Sequence, residues 1–360
     1  MNALLKKVVA QFLPEWPHID KQTALLWEPC SKSHGEVVPG YAKILLDLGY
    51  RVVVLMTPDR ISEGLFSRFE HPNLVLTTLT QRRIRKLVKT PVVRQAGVLF
   101  ISTAGKLPHR PDATLDLTTV FGTEFPAPLL VVEHDAKTKI DKGVWTENTI
   151  TLRCLDYADQ SSTIVNPHFF GEIDTTPKSD GRCVFLMIGA ARAKRRNQDL
   201  IYDAAEQLVE HGVSNFEIRL IGKKGGDAIP DKLQPHVKTL GRLDFREMYH
   251  QIEQSDFIVT AFQADNPEHE PYRTVKTTGS FQLCYGFAKP CILQKDFATG
   301  TALNSDNSLF YTSDEDVAHA LRRAIDMSAT DYYNMQQAMQ AAATKLYQQS
   351  VTNVELLING

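Results

Sequence analysis

Four cations fall within five positions of the stretch IGAARAKRRNQDLIYDAAEQL, residues 188–208: Arg192, Lys194, Arg195 and Arg196. The stretch begins as a buried strand, turns at Gly189 and continues as a helix. Cations at the mouth of such a unit, next to the free N–H groups of a helix start, suit an anion such as a phosphate. Arg196 can grip phosphate oxygens with both arms of its fork, and Arg192 or Lys194 can add a second contact. Lys194 and Arg195 read better as solvent-facing. The segment TVKTTGS, residues 274–280, is the second candidate. Thr277, Thr278 and Ser280 can cap the helix that follows, or their hydroxyls can join Lys276 in holding a phosphate. Gly279 lets the backbone come close to a ligand.

Three further groups have types that do chemistry. His134 ends the apolar run PLLVVEHD, ahead of Asp135. A histidine there can hydrogen-bond a substrate hydroxyl or a backbone oxygen, or sit satisfied in the core. His34 and Glu36 lie in SKSHGEVVPGY, where Gly35 and Gly40 permit tight turns; either side chain can serve as a base toward a hydroxyl. Glu268 and Glu270 of EHEPYR are candidates for bonding ribose or sugar hydroxyls, or are exposed loop acids. QRRIRKLVKTPVVR, residues 81–94, carries six cations among aliphatics. It predicts an amphipathic basic helix, suited to an anionic membrane surface through residues 82–94, or to a lipid-diphosphate, or simply solvated. SDED, residues 313–316, resembles a metal motif but reads as a helix start with acids in its first turn. No metal site is expected.

The elements that must position these residues alternate. TALLWEP, YRVVVLMT, NLVLTTL, AGVLFIST and PLLVVEHD read as short buried strands, and VVPGYAKILLDLG as a helix closed by Gly49. Such alternation predicts an α/β fold with parallel sheets covered by helices. Residues 166–182 carry prolines, glycines and polar filler and read as a crossing between domains. The pattern then restarts with CVFLMIG, a helix stopped at Gly212, and the strands FEIRLIG, DFIVTAF and KPCILQ, with GSFQLCYGFA a helix between the last two. The boundaries expected are 1–168 and 169–335 for two Rossmann-like domains, with 336–360 a terminal helix packing back on the first. A ligand of such a pair sits in the cleft, at the carboxyl ends of the strands.

Composition narrows the function. A chain of 360 residues, 43% hydrophobic and 23% charged, has length for two cores. A formal charge of −2 provides no global field for nucleic acid, so an anion site must be local. The five cysteines, Cys30, Cys154, Cys183, Cys284 and Cys291, form no Cys-x-x-Cys pair and read as reduced thiols of a cytoplasmic protein. No run approaches the ~20 apolar residues of a membrane span, which leaves at most peripheral contact with the inner membrane face.

In order along the chain, HGEVVPGYAKILLDLGYRVVVLM, PLLVVEHDA, STIVNPHFF, IGAARAKRRNQDLIYDA, RLIGKKGG, LGRLDFREMYHQIEQSDFIVTAF and YGFAKPCIL resemble the segments of retaining family-four glycosyltransferases of the GT-B fold. The resemblance covers nearly the whole chain. It implies two doubly wound domains, the first for acceptor and the second for a nucleotide-diphosphate sugar. It also implies a donor that is a substrate, with no cofactor, and no required metal. His134 then lies near the donor sugar, and Arg196 replaces a lysine of the family. An arginine of the family falls on Ala190, with Arg192 nearby. The family's paired glutamates fall on Val275 and Leu283, and Glu268 and Glu270 stand close to them in sequence. The function implied is sugar transfer to a glycan or lipid-linked acceptor of bacterial surface polysaccharide or glycoconjugate synthesis, with configuration retained. Two alternatives stay open: a catalytically silent GT-B partner protein, and a CDP-polyol phosphotransferase.

Overall fold

The computed structural model describes residues 18–29, 34–103, 106–107, 110–114, 127–134, 136–143, 145, 149–178, 181–189, 197–222 and 229–360. The first sheet comprises β1 (Thr23–Trp27), β2 (Arg51–Met56), β3 (Leu74–Thr78), β4 (Val98–Ile101), β7 (Leu129–Val132), β8 (Thr149–Thr151) and β9 (Thr163–Ile164), while β5 (Lys106–Leu107) and β6 (Arg110–Thr114) form a separate pair. Its order is β3-β2-β1-β4-β7-β8-β9, every neighbour parallel. The second sheet runs β12-β11-β10-β13-β14-β15 and is also parallel throughout. Its strands are β10 (Cys183–Ile188), β11 (Phe216–Ile221), β12 (Val237–Gly241), β13 (Phe257–Val259), β14 (Cys291–Gln294) and β15 (Ser308–Tyr311). Both sheets are doubly wound. The order reverses between β1 and β4 in one and between β10 and β13 in the other, and crevices open at those points.

The apolar runs explain why both sheets are covered on two faces. In β1, Ala24 and Leu26 enter one core while Leu25 and Trp27 enter the opposite one. β2 and β4 repeat this, with Val52, Val54, Val98 and Phe100 on the first side and Val53, Leu55, Leu99 and Ile101 on the other. In the second domain Phe185 and Met187 of β10 face one layer and Leu186 the other.

The two domains meet over a seam built on small residues. A Cβ on Gly40 would stand 2.5 Å from the Pro167 carbonyl carbon, and one on Gly286 would stand 2.3 Å from the His168 oxygen. Only glycine lets the helices Val38–Asp47 and Gly279–Gly286 close on the crossing segment from either side. Arg68 of the first domain pairs with the buried Glu253 of the second, with Nη2 2.9 Å from Oε2. The terminal helix Ala329–Asn359 spans both domains: Tyr332 and Met335 enter a core of the second, and Val354 a core of the first. No helix among the described residues is long and apolar enough to cross a membrane.

Residues 81–94 depart from the expected single helix. The helix is Gln81–Leu87, and a separate 3₁₀ turn follows at Pro91–Gln95. Pro91 has no N–H to continue an α-helix. Ile84, Leu87, Val88 and Val93 are all buried against β1, β2 and β4, so the apolar face belongs to the protein's own core. Arg82, Arg83, Lys86, Lys89 and Arg94 are exposed.

Candidate functional site

At the reversal point of the first sheet the chain leaves β1 through Glu28 and β4 through Ser102 and Thr103. Glu28 is 1% exposed. Its carboxylate accepts from the Ser102 hydroxyl and, at 3.0 Å, from Thr103 Oγ1. The Ser102 N–H donates to the Trp27 carbonyl at 3.0 Å. These bonds fix the Ser102 carbonyl, which faces Nε2 of His134 at 3.1 Å. A carbonyl only accepts, so Nε2 carries the proton and Nδ1 is left with the lone pair. The ring's pKa is pushed down to about 3, first by burial and then by the neighbouring His34, against the Ser102 bond and Glu36. At neutral pH His134 is therefore an uncharged acceptor. His134 thus takes the backbone-oxygen partner that its position allowed, with one nitrogen to spare.

His34 stacks on that ring, with centroids 4.2 Å apart and planes inclined by 25°. His34 sits at φ 64°, ψ 5°, in the left-handed region. Glu36 follows in the 3₁₀ turn Gly35–Val37 and is half-buried. Its Oε1 lies 3.5 Å from where a Cβ on Gly279 would be. The first-domain loop therefore meets the TVKTTGS turn across the cleft.

On the opposite wall Thr278 caps the helix Gly279–Gly286, its Oγ1 accepting from the Ser280 N–H at 3.3 Å. Thr278 and Ser280 are buried, while Lys276, Thr277 and Gly279 are half-buried. The turn is held from the first domain. Arg153, which leaves β8, is 5% exposed and donates to the carbonyls of Tyr272, Arg273 and Thr299, the Arg273 bond being 2.7 Å. The Asp156 N–H adds a bond to the Thr274 carbonyl at 3.1 Å. Arginine has five donors and no acceptor, which suits a cage of carbonyls, and burial lowers its pKa.

Gly189 ends β10 at φ 128°, a conformation open to glycine, and its N–H donates to the Ile221 carbonyl at 2.8 Å. Arg192, Lys194, Arg195 and Arg196 lie outside the described residues, as does Asp135. The residue after that stretch is anchored at the second reversal point. Asn197 N–H donates to the Ala261 carbonyl at 3.2 Å, and its Nδ2 to Gln263 Oε1 at 2.8 Å.

Glu270 is exposed and pairs with Arg273 at 3.0 Å, and Glu268 is exposed too. Between them His269 is fully buried, its Nδ1 accepting from the Gln263 N–H at 3.0 Å. Val275 and Leu283, where the resembling family has its glutamates, are buried apolar residues: Val275 packs with Ala136 and Leu155 of the first domain, and Leu283 lies in a second-domain core. Asp316 of SDED is the first residue of the helix Asp316–Asp326, and its carboxylate accepts from the Thr312 hydroxyl and from the N–H groups of Thr312 and Ser313 in the loop before it. Arg153, Glu28, Ser102 and Thr103 were not singled out by sequence. Arg153 is one cation in the run TITLRCLDY, and no spacing marks it as a strut.

No protein-family model matches the chain, and no curated protein matches its sequence. Solved structures match nearly end to end. Anabaena HepE, crystallised with UDP and glucose, superposes with a TM-score of 0.60 at 13% identity, over 94% of this chain and 100% of that one. AviGT4, a glycosyltransferase of avilamycin A biosynthesis, gives 0.55 at 11% identity, over 94% and 98%. The α,α-trehalose 6-phosphate synthase of Burkholderia multivorans gives 0.55 at 9%, over 95% and 98%. At these identities the likeness is one of fold, and the fold is GT-B.

Proposed function

We propose that the chain is a glycosyltransferase that moves a sugar from a nucleotide-diphosphate donor to a carbohydrate or lipid-linked acceptor. The observation that carries this reading is the meeting of the two walls. His134, His34 and Glu36, at the carboxyl edge of the first sheet, stand opposite the capped turn Thr278–Ser280 of the second. In a GT-B architecture that is where a donor and an acceptor come together, and HepE supports it as a neighbour crystallised with UDP and glucose.

In this reading the diphosphate lies at the start of the Gly279–Gly286 helix, where N–H groups and the hydroxyls of Thr277, Thr278 and Ser280 face it, with Lys276 and Arg196 supplying charge. Negative charge grows on the departing diphosphate in the transition state, so these groups act on the rate as well as on binding. His134 takes a hydrogen bond from a sugar hydroxyl at Nδ1. Glu36 is the first-domain carboxylate placed to accept the acceptor hydroxyl's proton. Retention of configuration and a surface-polysaccharide acceptor belong to the reading through the family resemblance. Docking of exposed Arg82, Arg83, Lys86, Lys89 and Arg94 on an anionic bilayer belongs to it through charge alone. Mass spectrometry of products from a panel of nucleotide sugars and extracted glycolipids tests it. A product heavier by one hexose supports transfer, and a product gaining phosphate selects a polyol phosphotransferase instead.

One observation favours a second reading, a catalytically silent partner protein. The positions that carry glutamates in the family are buried valine and leucine, and Glu270 is an exposed acid in an ion pair. Thermal shift with UDP, GDP and CMP separates the two. A rise of several degrees with one nucleotide supports the enzyme, and no shift with any supports the scaffold.

A further inference from the structure

We propose that His34 is a positioning residue of the transfer site, clamping the His134 ring so that its Nδ1 meets a substrate hydroxyl. The inference rests on the glycosyltransferase reading for its chemistry, and on geometry for the clamp.

The first observation is where the chain puts its strain. A left-handed backbone on a residue with a Cβ costs about 1 kcal/mol, and glycine escapes that cost. Glycine is next door at Gly35, yet the positive φ of 64° falls on His34. At Gly35 the nearest atoms to an added Cβ are those of the Arg60 side chain, at an ordinary 3.6 Å. What the conformation does deliver is the ring, laid on His134 at 4.2 Å.

The second observation is that the stack completes a restraint. The Ser102 carbonyl holds the Nε2 edge of His134 at 3.1 Å, which sets the tautomer but leaves the ring free to rock about that bond. Contact on the ring face removes that freedom. Among the described residues, the titratable groups that act on His134 are His34, which opposes its protonation, and Glu36, which favours it. Burial and His34 outweigh Glu36, so His134 stays the neutral acceptor that the proposed role requires. Arg153 is different in kind, since its partners are backbone carbonyls and its effect is on folding.

His34→Gly tests the clamp, because glycine accepts the left-handed backbone and the fold is kept, with a melting temperature at or above that of the parent. His34→Asn, which also tolerates this conformation, is the second variant. Two readouts are needed. Nitrogen-15 NMR of the His134 imidazole should show one Nε2–H tautomer across pH 5–8 in the parent. In both variants the ring should keep that tautomer, held by Ser102, but titrate nearer the ordinary value with resonances broadened by rocking. Nucleotide release from a panel of UDP-, GDP- and CDP-hexoses should fall about tenfold or more in kcat, with KM changed less. An unaltered His134 signal in a folded His34→Gly protein overturns the clamp. Unaltered turnover alongside an altered signal overturns its role in transfer. A parent protein that clamps His134 but turns over no nucleotide sugar leaves the clamp standing and removes the glycosyltransferase reading.

Discussion

The Glu36 carboxylate reaches across the cleft to the first residue of the Gly279–Gly286 helix, its Oε1 3.5 Å from the point where a Cβ on Gly279 would stand. A negative charge at a helix start is favourable by up to about 1 kcal/mol when half exposed. It also occupies the neighbourhood in which a donor diphosphate is proposed to lie, and there it repels.

Glu36→Gln should therefore separate binding from turnover. Loss of one repulsive charge, worth about 1 kcal/mol near a surface, should tighten UDP binding roughly fivefold in calorimetric titration. Turnover should drop at least tenfold, since glutamine accepts no proton. Weaker UDP binding in this variant would mean that Glu36 holds the donor, and the assignment as base would be wrong.

Arg153 joins the domains through the carbonyls of Tyr272, Arg273, Lys276 and Thr299. Arg153→Ala strips these four part-buried acceptors of their donor, at about 1–3 kcal/mol for each that water cannot reach. The expected loss is about 3 kcal/mol in urea unfolding, with the single transition splitting in two as the domains part. Lysine can reach one or two of the carbonyls, so Arg153→Lys should recover only part of the loss. An unchanged midpoint for Arg153→Ala would show that water serves those carbonyls as well as the guanidinium does.

Acid should weaken the seam. His168 lies between the Gly40 and Gly286 contacts, its Nδ1 3.1 Å from the Asn166 carbonyl oxygen. Burial pushes its pKa down to about 4, outweighing that bond. In the unfolded chain the ring titrates near 6.5. Between these values the unfolded state holds a proton that the folded state does not. Stability is thus complete above about pH 6.5 and falls as pH drops toward 4, by ~1.4 kcal/mol per pH unit for this one group. His134, with its pKa near 3, adds a second such slope over the same window. Unfolding free energies measured from pH 7 to 4.5 should show it, and His168→Gln should flatten the profile by about one proton. A parent profile flat over this range would show that both rings protonate without unfolding.

How much of this was legible depends on the range over which each feature is decided. β1, β2, β4 and β10 announce themselves because each is buried on both faces and must be apolar at consecutive positions. The Thr278 cap and the stop at Gly212, with its φ of 76°, are local matters of one turn. The basic stretch 81–94 shows the limit of periodicity, because the apolar spacing runs straight through Pro91 while the helix does not. The stack of His34 on His134 was out of reach. It follows from β7 lying two places from β1, beyond β4, and strand order is a choice among crossovers that no window of residues records. Glu28 and Arg153 escaped for a related reason: a buried charge is recognised by what surrounds it, and both draw their partners from distant segments.

Arg196 carries the last prediction. It precedes Asn197, whose N–H and side chain are tied to Ala261 and Gln263 at the carboxyl end of β13. The basic stretch therefore returns to the framework at the reversal point of the second sheet, where open α/β sheets bind their ligands. If Arg196 meets the diphosphate, Arg196→Ala should weaken UDP binding at least tenfold, about 1.4 kcal/mol, as fits one charge-assisted contact. Arg196→Lys should restore much of that affinity, because a point charge replaces part of the fork's attraction. The difference between parent and alanine variant should shrink as salt is raised, since partly exposed charges are screened. Calorimetry with UDP at two ionic strengths measures all three quantities. A dissociation constant that does not move with alanine would take Arg196 out of the site and leave the hydroxyls and N–H groups of residues 277–280 to hold the phosphate with Lys276.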